Sequence, residues 1–245
     1  MAWNLFAGLL IGFAYLSALI LIAGVAYRIF LYLKTPAPLK IVLTPGPKSN
    51  AGVVARLAGD VLIFPSLFKA DKPLWAGAWV FHLALLLVFV RHARYFMYPI
   101  PEWLVDLQPV GIAMGFILPI PALYLFWRRL TLPRTLYISG VPDYIALGLI
   151  LAIAATGVLV SYYARVYLVD VKAFLLGLLS LQPVAPPQHP LFLAHLVLVY
   201  SLMIYFPFSK LMHAGGIFFS PTRNQRDNVL AQRFVNPWNE EVNVD

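Results

Sequence analysis

Five apolar stretches, separated by basic or proline-rich connections, dominate the chain. The first runs from about Leu5 to Tyr27. The second runs from Leu74 to Val90 and continues to Phe96. The third covers Val110 to Trp127 and the fourth Tyr144 to Tyr163. The fifth starts near Pro190 and continues past Phe208 towards Phe219. Each meets or approaches the ~20 apolar residues a helix needs to cross the hydrocarbon core. Helices are the expected form, because an open segment in lipid must satisfy its backbone internally. Pro119, Pro121 and Pro207 are expected to bend spans three and five. The pattern predicts an all-α integral membrane protein built as a five-transmembrane-helix bundle.

Two connections hold more than turns. Pro36, Pro38, Pro45 and Pro47 make residues 35–47 extended and stiff. Val53, Val54, Leu57, Val61 and Leu62 then recur among Arg56 and Asp60 with the spacing of an amphipathic helix on the inner membrane surface. It either rests on lipid or forms a docking platform for a cytoplasmic partner. Val171 to Leu181 is apolar but too short to span, and is expected in the outer interface. No basic run precedes the first stretch, so it reads as a retained span and not as a signal peptide. No internal repeat is evident. The expected organisation is one membrane domain over residues 1–219, including the cytoplasmic loop 34–72, and a cytoplasmic tail over 220–245.

Composition agrees: 61% of residues are hydrophobic and 11% charged, against about 25% charged in soluble domains. The absence of cysteine removes disulfides, thiolate-bound iron–sulfur clusters and covalently attached c-type haem. The net charge of +8 reflects topology and anionic lipid, not nucleic acid. Arg28, Lys34, Lys40, Lys48, Arg56, Lys69 and Lys72 follow span one; Arg128, Arg129 and Arg134 follow span three; Lys210, Arg223, Arg226 and Arg233 follow span five. Only Arg91, Arg94, Arg165 and Lys172 fall on the other side. Fourteen against four is a positive-inside bias that puts the N-terminus outside and the C-terminus in the cytoplasm.

Ionisable side chains inside a span are costly and are functional candidates by default. His82 and His92 lie ten residues apart in span two, and His195 and His213 eighteen apart in span five. Antiparallel spans pair His82 with His213 at the inner level and His92 with His195 at the outer one. Neutral imidazole is a common haem ligand, so two pairs at two depths suggest two bis-histidine haems b. Zinc or copper would want ligands gathered at one point with Cys or carboxylate help. A lone intramembrane histidine also serves simply to hydrogen-bond a neighbouring helix; four at matching depths fit that less well. Ten residues rise about 15 Å and eighteen about 27 Å. Eighteen residues are five turns, which would put His195 and His213 on one face of a continuous helix. The unequal rises require tilt, a bend at Pro207 or a lateral offset.

Other residues carry weaker signals. Arg91 and Arg94 flank His92 and could pair with haem propionates or a quinone oxygen, or snorkel to the interface. Ala78, Gly215 and Gly216 are small neighbours of His82 and His213 that would let a porphyrin approach, and are also ordinary helix-packing residues. Trp75, Trp79, Tyr95 and Trp103 read mostly as an aromatic belt. Glu102 and Asp106 read as solvated loop carboxylates ahead of a proton relay, and His189 as a solvated loop residue. No acid–base or nucleophilic catalytic constellation appears.

The dual spacing resembles the gamma subunit of respiratory nitrate reductase, a five-span dihaem cytochrome b. That resemblance implies that His82, His92, His195 and His213 are the axial iron ligands, paired as above. The stretch from Lys34 to Ile41, the basic loop up to Phe68 and Lys69, and the run from His213 through Gly215, Gly216, Ile217, Phe218, Phe219, Ser220, Pro221, Thr222, Arg223 and Asn224 are similar to one branch. This is DsrM, the cytochrome b subunit of the membrane complex associated with dissimilatory sulfite reductase (DsrMKJOP-type). Likeness to it implies electron exchange with menaquinone or another quinone. It also implies a cytoplasmic [4Fe–4S] partner resembling heterodisulfide reductase, further membrane and periplasmic redox subunits including a cytochrome c, and residence in the cytoplasmic membrane of a prokaryote. Rival expectations are the cytochrome b of a nitrate reductase, formate dehydrogenase or hydrogenase, and a haem-free membrane anchor or transporter.

Overall fold

The structure is a computed structural model that describes residues 5–36, 41–227, 232–235 and 240–243. Pro38, Lys40 and part of the expected tail lie outside the described residues. Five helical segments are long and apolar enough to cross a membrane: Leu5–Lys34, Lys72–Tyr95, Gln108–Thr131, Val141–Ala164 and Pro190–Phe208. These are spans one to five, and the chain is an all-α, multi-pass membrane bundle. Most of each span's surface is left uncovered by protein. Leu9, Leu19, Ile22, Phe89 and Ile120 are among the exposed apolar side chains, as suits helices whose solvent is lipid.

Two apolar cores hold the bundle. Phe81 and Ala84 of span two, Leu118 and Ala122 of span three, and Ile150 and Ala154 of span four form one. Leu10, Ile11 and Ala14 of span one, Phe192, Leu196 and Tyr200 of span five, and Val171 and Phe174 form the other. The last two belong to helix Leu168–Leu179, the segment expected in the outer interface, which packs back on the bundle with Phe174 fully buried. Span four packs on span five and span three on span two, and Leu202 of span five packs against the first core.

The prolines act unequally. Span three is divided at Leu118 into helices Gln108–Ile117 and Pro119–Thr131, but Leu118 keeps helical backbone angles and the segment continues through it. The regular helix of span five ends at Tyr205, and Pro207 sits in the 3₁₀ turn Phe206–Phe208. Ser209 is then extended, and its hydroxyl accepts from the Leu211 amide at 3.2 Å, starting a new run through Lys210–Met212, His213–Gly216 and Ile217–Phe219. The expectation of one helix continuing towards Phe219, with His195 and His213 on a single face, is therefore corrected. Proline has no amide hydrogen and its ring crowds the carbonyl one turn back, and the capping serine directs the chain afresh.

The connection after span one forms helix Asn50–Leu62, capped by Ser49, whose hydroxyl accepts from the Gly52 amide at 3.1 Å. Phe64 then takes a left-handed conformation (φ 54°), and helix Pro65–Ala70 leads to Asp71. The proline-rich stretch is pinned to the chain's end: the Leu43 amide donates to Thr222 O at 3.0 Å and the Asp227 amide to Pro47 O at 2.8 Å. A two-stranded antiparallel ribbon, Gln232–Val235 with Glu240–Asn243, lies in the tail.

Asp71 fastens the start of span two to the end of span three. It accepts from the Leu74 amide at 3.0 Å and is ion-paired with Arg128 and, at 3.3 Å, with Arg134. The Leu74 amide and the two guanidiniums hold its carboxyl below the usual carboxylate range, against the opposing effect of burial. Trp75 and Trp79 are not merely belt residues. Their indole N–H groups donate to Ile63 O at 2.6 Å and Leu62 O at 2.9 Å, satisfying carbonyls at a helix end.

Candidate functional site

The four imidazoles fall into two sets, His82 with His213 and His92 with His195. At the inner level, His82 and His213 meet with ring centres 6.0 Å apart and planes at 84°. Each ring is oriented by its own segment: His82 Nδ1 lies 2.7 Å from Ala78 O, and His213 Nδ1 lies 2.7 Å from Lys210 O. A carbonyl can only accept, so Nδ1 carries the proton and the Nε2 lone pair is left free. Phe64 and Phe81 stand edge-on to His82 at 5.3 and 5.2 Å. The left-handed backbone of Phe64, unusual for a bulky residue, thus occurs beside this pair.

At the outer level, His92 and His195 lie close enough for their charges to interact. His92 Nδ1 is 2.7 Å from Val88 O. His195 Nδ1 is 2.9 Å from the Thr156 hydroxyl, which itself donates to Ala152 O at 2.7 Å. The hydroxyl proton is thereby committed, and its lone pair accepts from His195. Gly157 completes this side: a Cβ there would stand 3.2 Å from His195 Cε1. All four histidines therefore share one tautomer, with the proton on Nδ1 and the Nε2 lone pair free.

The pairs fit haem better than a small metal site. Among the described residues no group of three or more His, Cys, Asp or Glu could hold a metal ion. Two imidazole nitrogens from separate segments would suit a haem iron. With metal–nitrogen distances of about 2 Å, imidazoles on either side of one metal place their ring centres roughly 6 Å apart, which the inner pair matches.

The remaining candidates separate. Arg91 wraps its methylenes on Gly111, where a Cβ would stand 2.6 Å from Arg91 Cδ, and its buried Nε has no partner. Arg94 places its guanidinium 5.7 Å from the centre of the Tyr95 ring. Glu102 and Asp106 sit exposed on the short helix Glu102–Asp106. His189 is not simply solvated: its Nδ1 accepts from the Leu191 amide at 3.2 Å and caps span five. Gly216 lies against Tyr32, whereas a Cβ at Gly215 would meet nothing within 4 Å.

Sequence reasoning missed the supports. Thr156 is one hydroxyl in an apolar run, and only the packing of span four on span five shows what it faces. Asp143, at the start of span four, accepts from the Gly140 amide at 3.0 Å and from Lys210 Nζ at 2.8 Å. Lys210 is the residue whose carbonyl orients His213. The spacing from Gly140 to Asp143, just before an apolar run, is a helix-start signal that could have drawn attention to it. A cavity of about 240 Å³ opens next to the inner pair, lined by Asp60, Phe64, Ser66, Leu67, Ile217 and Arg223. The Asp60–Arg223 ion pair, at 2.5 Å, joins its two sides.

Comparison with known proteins follows the same lines. The chain is 34% identical to the Hdr-like menaquinol oxidoreductase cytochrome b-like subunit of Archaeoglobus fulgidus over 269 aligned positions, covering 91% of this chain and 81% of that protein. It is 30% identical to the subunit of the same description from Archaeoglobus profundus over 270 positions, covering 91% and 80%. The nitrate reductase gamma subunit model matches residues 65–232, from just before span two into the tail. With that match over more than half its length, the chain belongs to the nitrate reductase gamma subunit family.

Proposed function

We propose that the chain is the membrane cytochrome b subunit of a menaquinol oxidoreductase complex, exchanging electrons between the quinone pool at the outer face and a cytoplasmic iron–sulfur subunit. The observation that carries this is the meeting of His82 and His213 with ring centres 6.0 Å apart, each ring oriented through Nδ1, in a chain of this family. His82 and His213 would hold the inner haem b, and His92 and His195 the outer one. Bound there, the haems would supply one-electron carriers at two depths. Arg91, with an unpaired Nε beside His92, is the better placed of the two flanking arginines for a propionate or a quinone oxygen; Arg94 is engaged with Tyr95.

The positive-inside bias supports a cytoplasmic C-terminus, and the Archaeoglobus relatives support residence in a prokaryotic cytoplasmic membrane. The names of the Archaeoglobus relatives support menaquinol as the electron donor and a partner of the heterodisulfide reductase type. The run from His213 to Asn224 supports the finer reading, a place in dissimilatory sulfur metabolism with a DsrMKJOP-type set of subunits, including a periplasmic cytochrome c.

The test is a reduced-minus-oxidised spectrum of the purified protein. Haem b bands at about two haems per chain are expected; a colourless protein overturns the reading. His92→Ala and His213→Ala should each remove one haem and leave the other, and full retention of both in either variant refutes the pairing. Copurification should recover an iron–sulfur subunit. Recovery with a molybdenum reductase instead would move the chain to the nitrate reductase branch.

A further inference from the structure

Span one carries a cation, Arg28, on the face packed against the segment that holds His213, and the foregoing does not use it. Gly24, Arg28 and Tyr32 are four residues apart, so they share one face of a continuous helix. Both flanking positions on that face pack against the segment that carries His213. A Cβ at Gly24 would stand 2.6 Å from Pro207 Cβ, so only glycine admits that contact. Tyr32 lies against Gly216 and its ring centre is 5.7 Å from that of Phe219. Arg28 is midway, about 6 Å along the axis from each, and so stands beside residues 207–216, with His213 among them.

Its side chain is half-buried and its Nε has no contact with solvent and no hydrogen-bond partner. Among the described residues it forms no ion pair. The neighbouring cations differ: Arg223 is neutralised by Asp60 and Lys210 by Asp143. A guanidinium held without an acceptor in a low-dielectric setting is costly, and the face it occupies is turned to protein, not to lipid. Its planar fork matches a carboxylate.

We propose that Arg28 binds a carboxylate of the inner cofactor, a haem propionate, next to His213. This rests on the dihaem reading, which the spectrum of the unmodified protein tests first. Removing a positive charge near the iron favours the ferric form, so Arg28→Gln should lower one of the two haem midpoint potentials in a redox titration. The other potential should stay in place. Arg28→Lys, which keeps the charge, should shift the same haem less. In a His213→Ala background, where only the outer haem remains, Arg28→Gln should leave its potential unchanged. Selective loss of one haem in Arg28→Gln, with both retained in Arg28→Lys, supports the assignment equally. Unchanged potentials at full haem content overturn it. So does a shift of the outer haem, or joint loss of both haems in both variants, since Arg28 would then serve the bundle as a whole.

Discussion

A hydrogen bond to Nδ1 decides how basic a ligating imidazole is, and the four histidines do not share one kind of acceptor. Three meet carbonyls of their own segment, whereas His195 turns to a neighbouring span, where it meets the Thr156 hydroxyl and the Ile153 carbonyl. Thr156→Val keeps the shape and removes the hydroxyl. The ring then loses anionic character, ferric iron is less favoured, and one midpoint potential should rise while the other holds. Two unchanged potentials would contradict the role given to this hydroxyl. Tyr200 is the converse case. Its hydroxyl is buried without a partner, while its ring packs edge-on to Phe13 at 5.6 Å. Tyr200→Phe should therefore stabilise the protein in detergent by on the order of 1 kcal/mol with haem content intact; a lower melting temperature would reveal a missed acceptor. At this scale the candidate histidines were legible, because histidine is rare in lipid. Thr156 was not, because a lone hydroxyl in a span has meaning only once its neighbour is known.

Among elements, the spans could be read from apolar length, and the surface helix from its periodicity. The break after Tyr205 could not, since Pro207 announces a disturbance without saying whether the helix resumes. Ser209 decides that it does not, and the ion pair between Asp143 and Lys210 then holds the displaced segment to span four. Lys210→Met should loosen His213 selectively, so that one haem is lost on purification and the other retained; equal loss of both would point to general damage. The clamp at Asp71 offers a pH test. Its carboxyl titrates below the ordinary value of about 4, so its stabilisation is fully present above that value and fades as pH falls through the lowered one. Asp71→Asn should melt below the wild type by a constant margin from neutral pH down to about 5, and the margin should close below about 4. A margin independent of pH would show that the charge is immaterial.

For the whole molecule, orientation is an inference from charge, and the chain is convenient for testing it because it has no native cysteine. Ser180→Cys and Asn224→Cys place single thiols at exposed positions on opposite sides. A membrane-impermeant maleimide added to intact cells should label the first alone; labelling only of the second would invert the topology. That five apolar helices form a bundle was evident from composition. That they form two cores was not, because apolar residues in lipid-facing helices carry no mark of which neighbour they will choose.

The break at Ser209 also gives biogenesis an order. His82, His92 and His195 all emerge from the ribosome before residue 206, whereas His213 arrives on the last short stretch of helix, after a separate start. On the proposed pairing, His92 and His195 are both made while synthesis continues, and the other site waits for His213 on the later helical run. On that pairing, a chain truncated just past Tyr205 should bind one haem instead of two.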